Sequence, residues 1–326
     1  MLPSLKLANL WRVIRDVDLD QIRATARTPF ELLIVADDPD AGARVRDALA
    51  TLPTGGLHPF VTLLTPDELP GRQTVPLVTV LVSAAPTPST RLIGAEHYGV
   101  HAGWPRHMVA GVPDDLRLLF PPIVALVDGD MRLALASALP AFRPAVAEAI
   151  VDETAKANAS FAATTGLAEI IPVLNVPLNL GDMVILTKNQ LAMGYRIALA
   201  AGRDGEPRAM VTEILGVLGG GLLFRQMARQ LVGLIPVAGL LPKVVIAYAG
   251  TYAIGRALTA WAMGGVAVSP DSISRYTADG LGRGRLLAQE LLASVRTRAP
   301  SRRWQRLRGW LPPRRRGTAG PPSSDT

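Results

Sequence analysis

The chain has no cysteine in 326 residues, which removes disulfides, thiolate nucleophiles and thiolate metal sites. Histidine is nearly as scarce: His58, His97, His101 and His107 are the only four, and all precede residue 110. His97 and His101 stand four apart beside Glu96, a spacing that on a helix offers two metal nitrogens. Gly99, Gly103 and Pro105 make that segment a loop, so no metal is expected. Asp114-Asp115 and Asp128-Gly129-Asp130 lack the other ligands of a calcium loop and read as a helix start and a turn. A secretory h-region is missing too, because Leu5 to Ile22 carries Lys6, Arg12, Arg15, Asp16, Asp18 and Asp20. Export is not expected. Aromatic residues make up only 5% of the chain, yet its mean hydropathy of +0.26 exceeds that of ordinary soluble proteins. The apolarity is aliphatic.

Charge is present and unevenly placed. The formal net charge is +7. Residues 1–155 hold 13 Lys and Arg against 18 Asp and Glu, a balance of −5, whereas 156–326 hold 21 against 9, a balance of +12. From Arg296 onward there are nine arginines and one acid, Asp325, so the C-terminal end alone supplies +8. The basicity belongs to the tail.

Periodicity predicts an α+β chain. Leu7, Leu10, Trp11, Ile14 and Val17 recur at helical spacing, giving an amphipathic helix within residues 1–28, and Asp18 with Gln21 forms a capping signal for a second short helix, Ile22 to Ala26. Residues 29–118 read as a small α/β layer with a mainly parallel sheet. Its strands are Phe30 to Ala36, Leu77 to Ser83 and a weaker Arg106 to Gly111, with a helix from Ala41 to Leu52. Residues 119–298 read as helical: Pro121 to Ala138, a break at Pro140 to Pro144, Ala145 to Ala168, and Asp182 to Ala201 ending at Gly202 as a C-cap. Asn175, Asn179, Asp182, Lys188 and Asn189 form a candidate polar cluster in or beside apolar helices, suited to helix ends or to a ligand. Residues 299–326 read as a basic, disordered tail.

Residues 211–264 are the most apolar part of the chain and predict membrane association. Val211 to Phe224 carries only Glu213, Leu231 to Leu241 is uncharged but broken by Pro236, and Val244 to Met263 is charged only at Arg256. Spanning needs about twenty apolar residues, and an arginine at a helix centre costs at least ~2.5 kcal/mol. Three settings follow: a hairpin entering the bilayer, a hairpin lying at its interface, or a buried pair in a large helical domain. Tyr248, Tyr252 and Arg256 line one strip that would contact the membrane or hold the arginine over aromatic faces. Ala249, Ala253 and Ala257 line another, smooth enough for a partner helix or a second copy of the chain. In the tail, Trp304 and Trp310 interleave with Arg302, Arg303, Arg314, Arg315 and Arg316. That pattern suits the headgroups of an anionic membrane, each basic residue contributing about 1 kcal/mol. The same arginines would meet nucleic-acid phosphates, a reading placed behind lipid.

Ile171-Pro172-Val173-Leu174-Asn175, Gly181-Asp182, Leu186-Thr187-Lys188-Asn189-Gln190, the Gly-rich Leu215 to Gly221 and Ile235-Pro236 together resemble the YcjF-like domain of unknown function, over residues 140–265. The resemblance implies a membrane-embedded helical domain that often follows a GTPase domain. It also implies an inner, cytoplasmic membrane of bacterial type, with the positive-inside rule placing the N-terminal layer and the tail in the cytoplasm. The α/β layer then stands where relatives carry the GTPase. Asp37 to Arg44 occupies the matching strand-to-helix turn, making Asp37, Gly42 and Arg44 candidate nucleotide contacts. Against the phosphate-binding pattern, though, Ala43 replaces the lysine and Arg44 the Ser/Thr, so the phosphate cradle is degenerate. Asp279-Gly280-Leu281-Gly282 spells a short switch motif beyond the apolar region, and Thr187 to Gln190 has Gln where guanine recognition needs Asp. The sequence therefore predicts a membrane-associated scaffold or regulator without a cofactor, ahead of a nucleotide switch.

Overall fold

A computed structural model describes residues 17–69, 72, 74–83, 103–170, 180–219, 240–265 and 268–298. It is an α+β chain: a small parallel sheet set against a large set of helices. Helix α1, Leu19–Ala26, opens it, and the Asp18 side chain accepts from the Gln21 N–H at 2.8 Å, as the capping signal predicts. Strand β1, Leu32–Ala36, is followed by helix α2, Pro39–Ala50, and strand β2, Val61–Leu64. Strands β3, Val78–Ser83, and β4, Arg106–Ala110, complete the sheet. Its order is β2-β1-β3-β4 with every pair parallel. This is how open doubly wound sheets begin, with the reversal between β1 and β3.

All five residues of β1 and all six of β3 are buried. An apolar run without alternation does this in the interior of a parallel sheet covered on both faces. Leu32, Ile34, Val80 and Val82 join α2's Val45 and Leu49 in the main core, while Leu33, Val35 and Leu81 form a smaller cluster with Leu69 and Trp104 on the other face. Each such Leu, Ile or Val contributes roughly 1.5–3 kcal/mol on burial. The edge strand β2 is half-exposed along its length. It was not predicted, because its four residues lie among turn-forming Pro and Gly.

The helices follow: α3, Phe120–Leu126; α4, Gly129–Ala138; α5, Arg143–Ile170; α6, Leu180–Ala200; α7, Pro207–Gly219; α8, Leu240–Gly264; and α9, Pro270–Arg298. The stretch read as one helix from Pro121 to Ala138 is two, separated at Val127-Asp128, and Arg132 Nε donates to the carbonyls of Val124 and Val127 at 3.0 and 2.8 Å to close the first. At the end of α6 Gly202 takes φ +81°. Its N–H donates to Leu199 O, and the Arg203 N–H donates to Ala198 O. That pair of bonds ends a helix on a left-handed residue and fulfils the predicted C-cap. Helix α1 packs on α4 and α6, so it joins the helices although it precedes the sheet in sequence.

Helix α8 is the apolar centre of the helical part, packed by α5, α6, α7 and α9. Of residues 211–264, the described α8 is largely buried in protein, whereas α7 buries one side at Val211 and Ile214 and leaves Thr212, Glu213 and Gly216 exposed. Among the described residues no helix is long and apolar enough to cross a membrane. Tyr248 and Tyr252, expected at a membrane, are 2% and 3% exposed and face the chain's own helices. Ala249, Ala253 and Ala257, expected to receive a partner or a second copy, are likewise buried. The receiving helices are internal. A Cβ on Gly280 of α9 would lie 2.9 Å from Ala249 Cα, and one on Gly284 would lie 3.1 Å from Val245 O. A Cβ on Gly255 would lie 2.6 Å from Val151 Cγ2 of α5. Small residues let these helices touch backbone to backbone, in water-soluble or lipid surroundings alike.

Candidate functional site in the helical bundle

The strand-to-helix turn expected to hold a nucleotide is built for packing. Gly42 lies inside α2, and a Cβ there would meet Ala36 Cβ at 2.6 Å and Leu63 Cδ1 at 2.9 Å. Glycine therefore brings helix and sheet together, a role separate from cradling phosphate. The α2 N-terminus, where a phosphate would bind, is closed by its own anion: Asp38 accepts from the Ala41 N–H at 2.8 Å. Asp37 donates its N–H to Val82 O at 3.2 Å, tying β1 to β3, and Arg44 is exposed on the helix. The switch-like Asp279 to Gly282 falls inside α9, where Gly280 makes the contact with Ala249.

The polar residues that do converge lie on α5, α6 and α8. Asn189 Nδ2 donates to Asn158 Oδ1 at 2.8 Å, and Asn158 Nδ2 donates to Thr251 Oγ1 at 3.0 Å. Asn158 and Thr251 are 0% and 2% exposed. Buried amides need such partners, because an unmade bond there costs about 1–3 kcal/mol. Of the predicted polar cluster, Asn189 belongs to this chain of bonds and Lys188 is half-buried beside it in sequence. Asp182 sits in a part of α6 whose side chains are outside the description, and Asn175 and Asn179 lie outside the described residues. So do His97, His101, the whole tail with Trp304, Trp310 and its arginines, and most of the first predicted helix. Among the described residues no three acids or histidines group as metal ligands.

One to three turns toward the start of α5, charge gathers around a cavity of about 510 Å³ between α3, α5 and α9. Tyr248 donates its hydroxyl to Asp152, and Lys156 meets the same carboxylate at 2.7 Å. Arg283 of α9 donates to Glu148 at 3.0 Å and lies 5.0 Å from the Tyr252 ring centre. Arg132 approaches Glu153 at 3.8 Å, so three cations face three carboxylates. Burial pushes Asp152 upward, but hydrogen bonds from Lys156 and Tyr248 and the charges of Lys156 and Arg283 outweigh it and hold its carboxyl below the usual range. Burial, and then the Asp152 carboxylate, push the Tyr248 phenol strongly up. Burial raises Tyr252 as well, and for Arg283 the neighbouring tyrosines and Glu148 outweigh burial and raise its pKa. Asp152 is thus fixed as an anion and Tyr248 as a neutral donor. A proton-transfer site needs a group poised near neutral pH, and these two are driven away from it.

Asp152, Asn158, Tyr248 and Thr251 were not singled out together from sequence. The signal available was the four-residue step Glu148, Asp152, Lys156 on one helical face. Nothing local announces their partners on α8, which lie more than ninety residues away. No family model, curated protein or solved structure matches the chain.

Proposed function

We propose that this protein is a non-catalytic scaffold or regulatory protein that works at a membrane surface. The division of residues 211–264 carries the reading. The helix that most resembles a span, α8, is wrapped by the chain's own helices and forms a stable platform. The apolar residues left for lipid are then those of 220–239, including the uncharged run from Leu231, with the arginine- and tryptophan-rich tail beyond Arg298 as the electrostatic contact. The resemblance to YcjF-like domains supports the same setting, the cytoplasmic face of a bacterial-type inner membrane. Asp38 at the α2 N-terminus and the packed Gly42 favour a scaffold over a nucleotide switch. The charge-balanced cleft around Asp152 suits a protein partner of mixed charge.

Sedimentation of the full chain with vesicles containing anionic lipid tests the reading. Binding is expected, released by salt if the tail alone holds it and resistant to alkaline carbonate if residues 220–239 enter the bilayer. Deletion of residues 299–326 is expected to remove the salt-sensitive part. Recovery of all the protein in the supernatant at low salt would overturn the proposal.

A further inference from the structure

A second cavity, of about 380 Å³, opens where the ends of α1, α4 and α6 meet, with Phe60 as an apolar wall. Four arginines line it: Arg23, Arg27, Arg143 and Arg203. Arg203 is fully engaged. It donates to Trp261 O and Ala262 O at 3.1 Å each, lies 4.1 Å from the Trp261 ring centre and pairs with Glu213 at 3.3 Å. Arg23 and Arg27 share one carboxylate, Asp204, at 2.9 and 3.1 Å. Arg143 differs. Among the described residues no carboxylate pairs with it, and its only hydrogen bond runs from Nε to Ala136 O at 3.5 Å, the outer limit for such a bond.

Arg143 is also held in place. It opens the 28-residue α5, and its guanidinium lies so close to Gly202 that a Cβ there would be 2.3 Å from a terminal nitrogen. A half-buried guanidinium without a counter-charge is costly, and burial pushes the Arg143 pKa down. Arg23 Nε is a further buried donor without a partner. With Arg203 and Glu213 cancelling, Asp204 is the one carboxylate that lines the cavity beside the other three guanidiniums, with Asp20 and Glu206 as the next acids outward. The carbonyl ends of α1, α4 and α6 also border the cavity, but each carries only about half an elementary negative charge. Together they fall short of the two-charge excess among the lining side chains.

We propose that this cavity binds a phosphate-type oxyanion between Arg143 and Arg27. Guanidinium forks match such oxygens with two parallel bonds, and Arg27 uses only one of its terminal nitrogens on Asp204. The oxyanion is that of a free phosphomonoester or of a lipid headgroup presented at a surface. This inference stands apart from the membrane reading.

Calorimetry of the full chain with glycerol 3-phosphate, and sedimentation with phosphatidylcholine vesicles with or without phosphatidic acid, separate the two sources. Arg143→Gln is expected to weaken binding about tenfold or more, the effect of losing a charge-assisted hydrogen bond. Arg27→Gln, at a more exposed position, gives the same answer if the first variant folds poorly, as thermal melting would report. Arg285→Gln, exposed on α9, controls for net charge and should change nothing. Arg143-dependent binding of glycerol 3-phosphate assigns the free ester, and Arg143-dependent binding of phosphatidic acid vesicles alone assigns the headgroup. Absence of binding to either probe, or binding indifferent to both substitutions, overturns the inference. Vesicle binding that depends only on residues 299–326, with no binding of glycerol 3-phosphate, would also overturn it while leaving the membrane reading intact. Binding of glycerol 3-phosphate without any vesicle binding would do the reverse.

Discussion

The sheet and the helical bundle bury their apolar surface by opposite means. In β1 and β3 the core is Leu, Ile and Val, large side chains that fill the space between layers whose strand spacing is already set by backbone hydrogen bonds. In α8 the contacts fall on Val245 and Ala249, met by Gly284 and Gly280 of α9, and on Gly255, met by Val151 of α5, with Ala253 and Ala257 buried as well. No ladder fixes the distance between helices, so the smallest side chains fix it. The sheet is therefore vulnerable to lost volume and the bundle to added volume.

The sharpest test of that contrast pairs two substitutions. Ile34→Ala in β1 is expected to lower stability by about 4 kcal/mol through the cavity it leaves, and Gly280→Val in α9 by about 3 kcal/mol through a clash with the α8 backbone. Urea unfolding measures both. Gly282→Ala, two residues on and in open space, should instead raise stability by about 0.5–1 kcal/mol. Equal stability of Gly280→Val and wild type would show that backbone contact does not set the helix spacing. A smaller effect comes from the one place where the sheet layer behaves like the bundle. Gly42→Ala is expected to cost about 1–2 kcal/mol, because Ala36 Cβ cannot yield although the Leu63 methyl can. A neutral or stabilising result would return Gly42 to a role other than packing.

The smallest expected effect is electrostatic and confined to the bundle. Asp152 is held below its ordinary pKa in the folded chain. The folded state therefore binds its proton less readily than the unfolded state does. That contribution to stability is present above the unfolded value of about 4 and is lost as pH falls through the lower folded value. Asp152→Asn should flatten this acid limb of a stability–pH curve, while a change in the sheet that touches no carboxylate, such as Thr79→Val at a buried hydroxyl without a partner, should leave its shape unchanged. An acid limb identical in Asp152→Asn and wild type would place the titrating groups elsewhere.

The legible parts of the fold were those written in consecutive residues. The strands β1 and β3 announce themselves as apolar runs and β4 more weakly through Met108 to Ala110, and Asp18 with Gln21, Asp115 and Gly202 mark helix ends through bonds that span a few residues. The edge strand β2 has no such run, and the break at Val127-Asp128 depends on Arg132 reaching back to two carbonyls. Neither was predicted. The surroundings of Tyr248 were illegible for a deeper reason. A smooth apolar helix looks the same whether lipid or protein covers it, and only α5 and α9, packed against it from opposite directions in sequence, decide. Likewise a P-loop-like turn can keep its glycine for helix packing alone. In the polar cluster Asn189 was named, but Asn158 and Thr251, its continuation, come from two other helices.

Smooth helices have a weakness of their own. The alanines and glycines of α8 offer little grip along its axis beyond Val151 of α5 on Gly255, so packing defines how close α5 and α8 lie better than how far along one sits relative to the other. The bonds from Asn189 through Asn158 to Thr251 act as the vernier mark on that scale. A shift of one turn, about 5.4 Å, would leave a buried amide and a hydroxyl facing hydrocarbon, so only one alignment reads true.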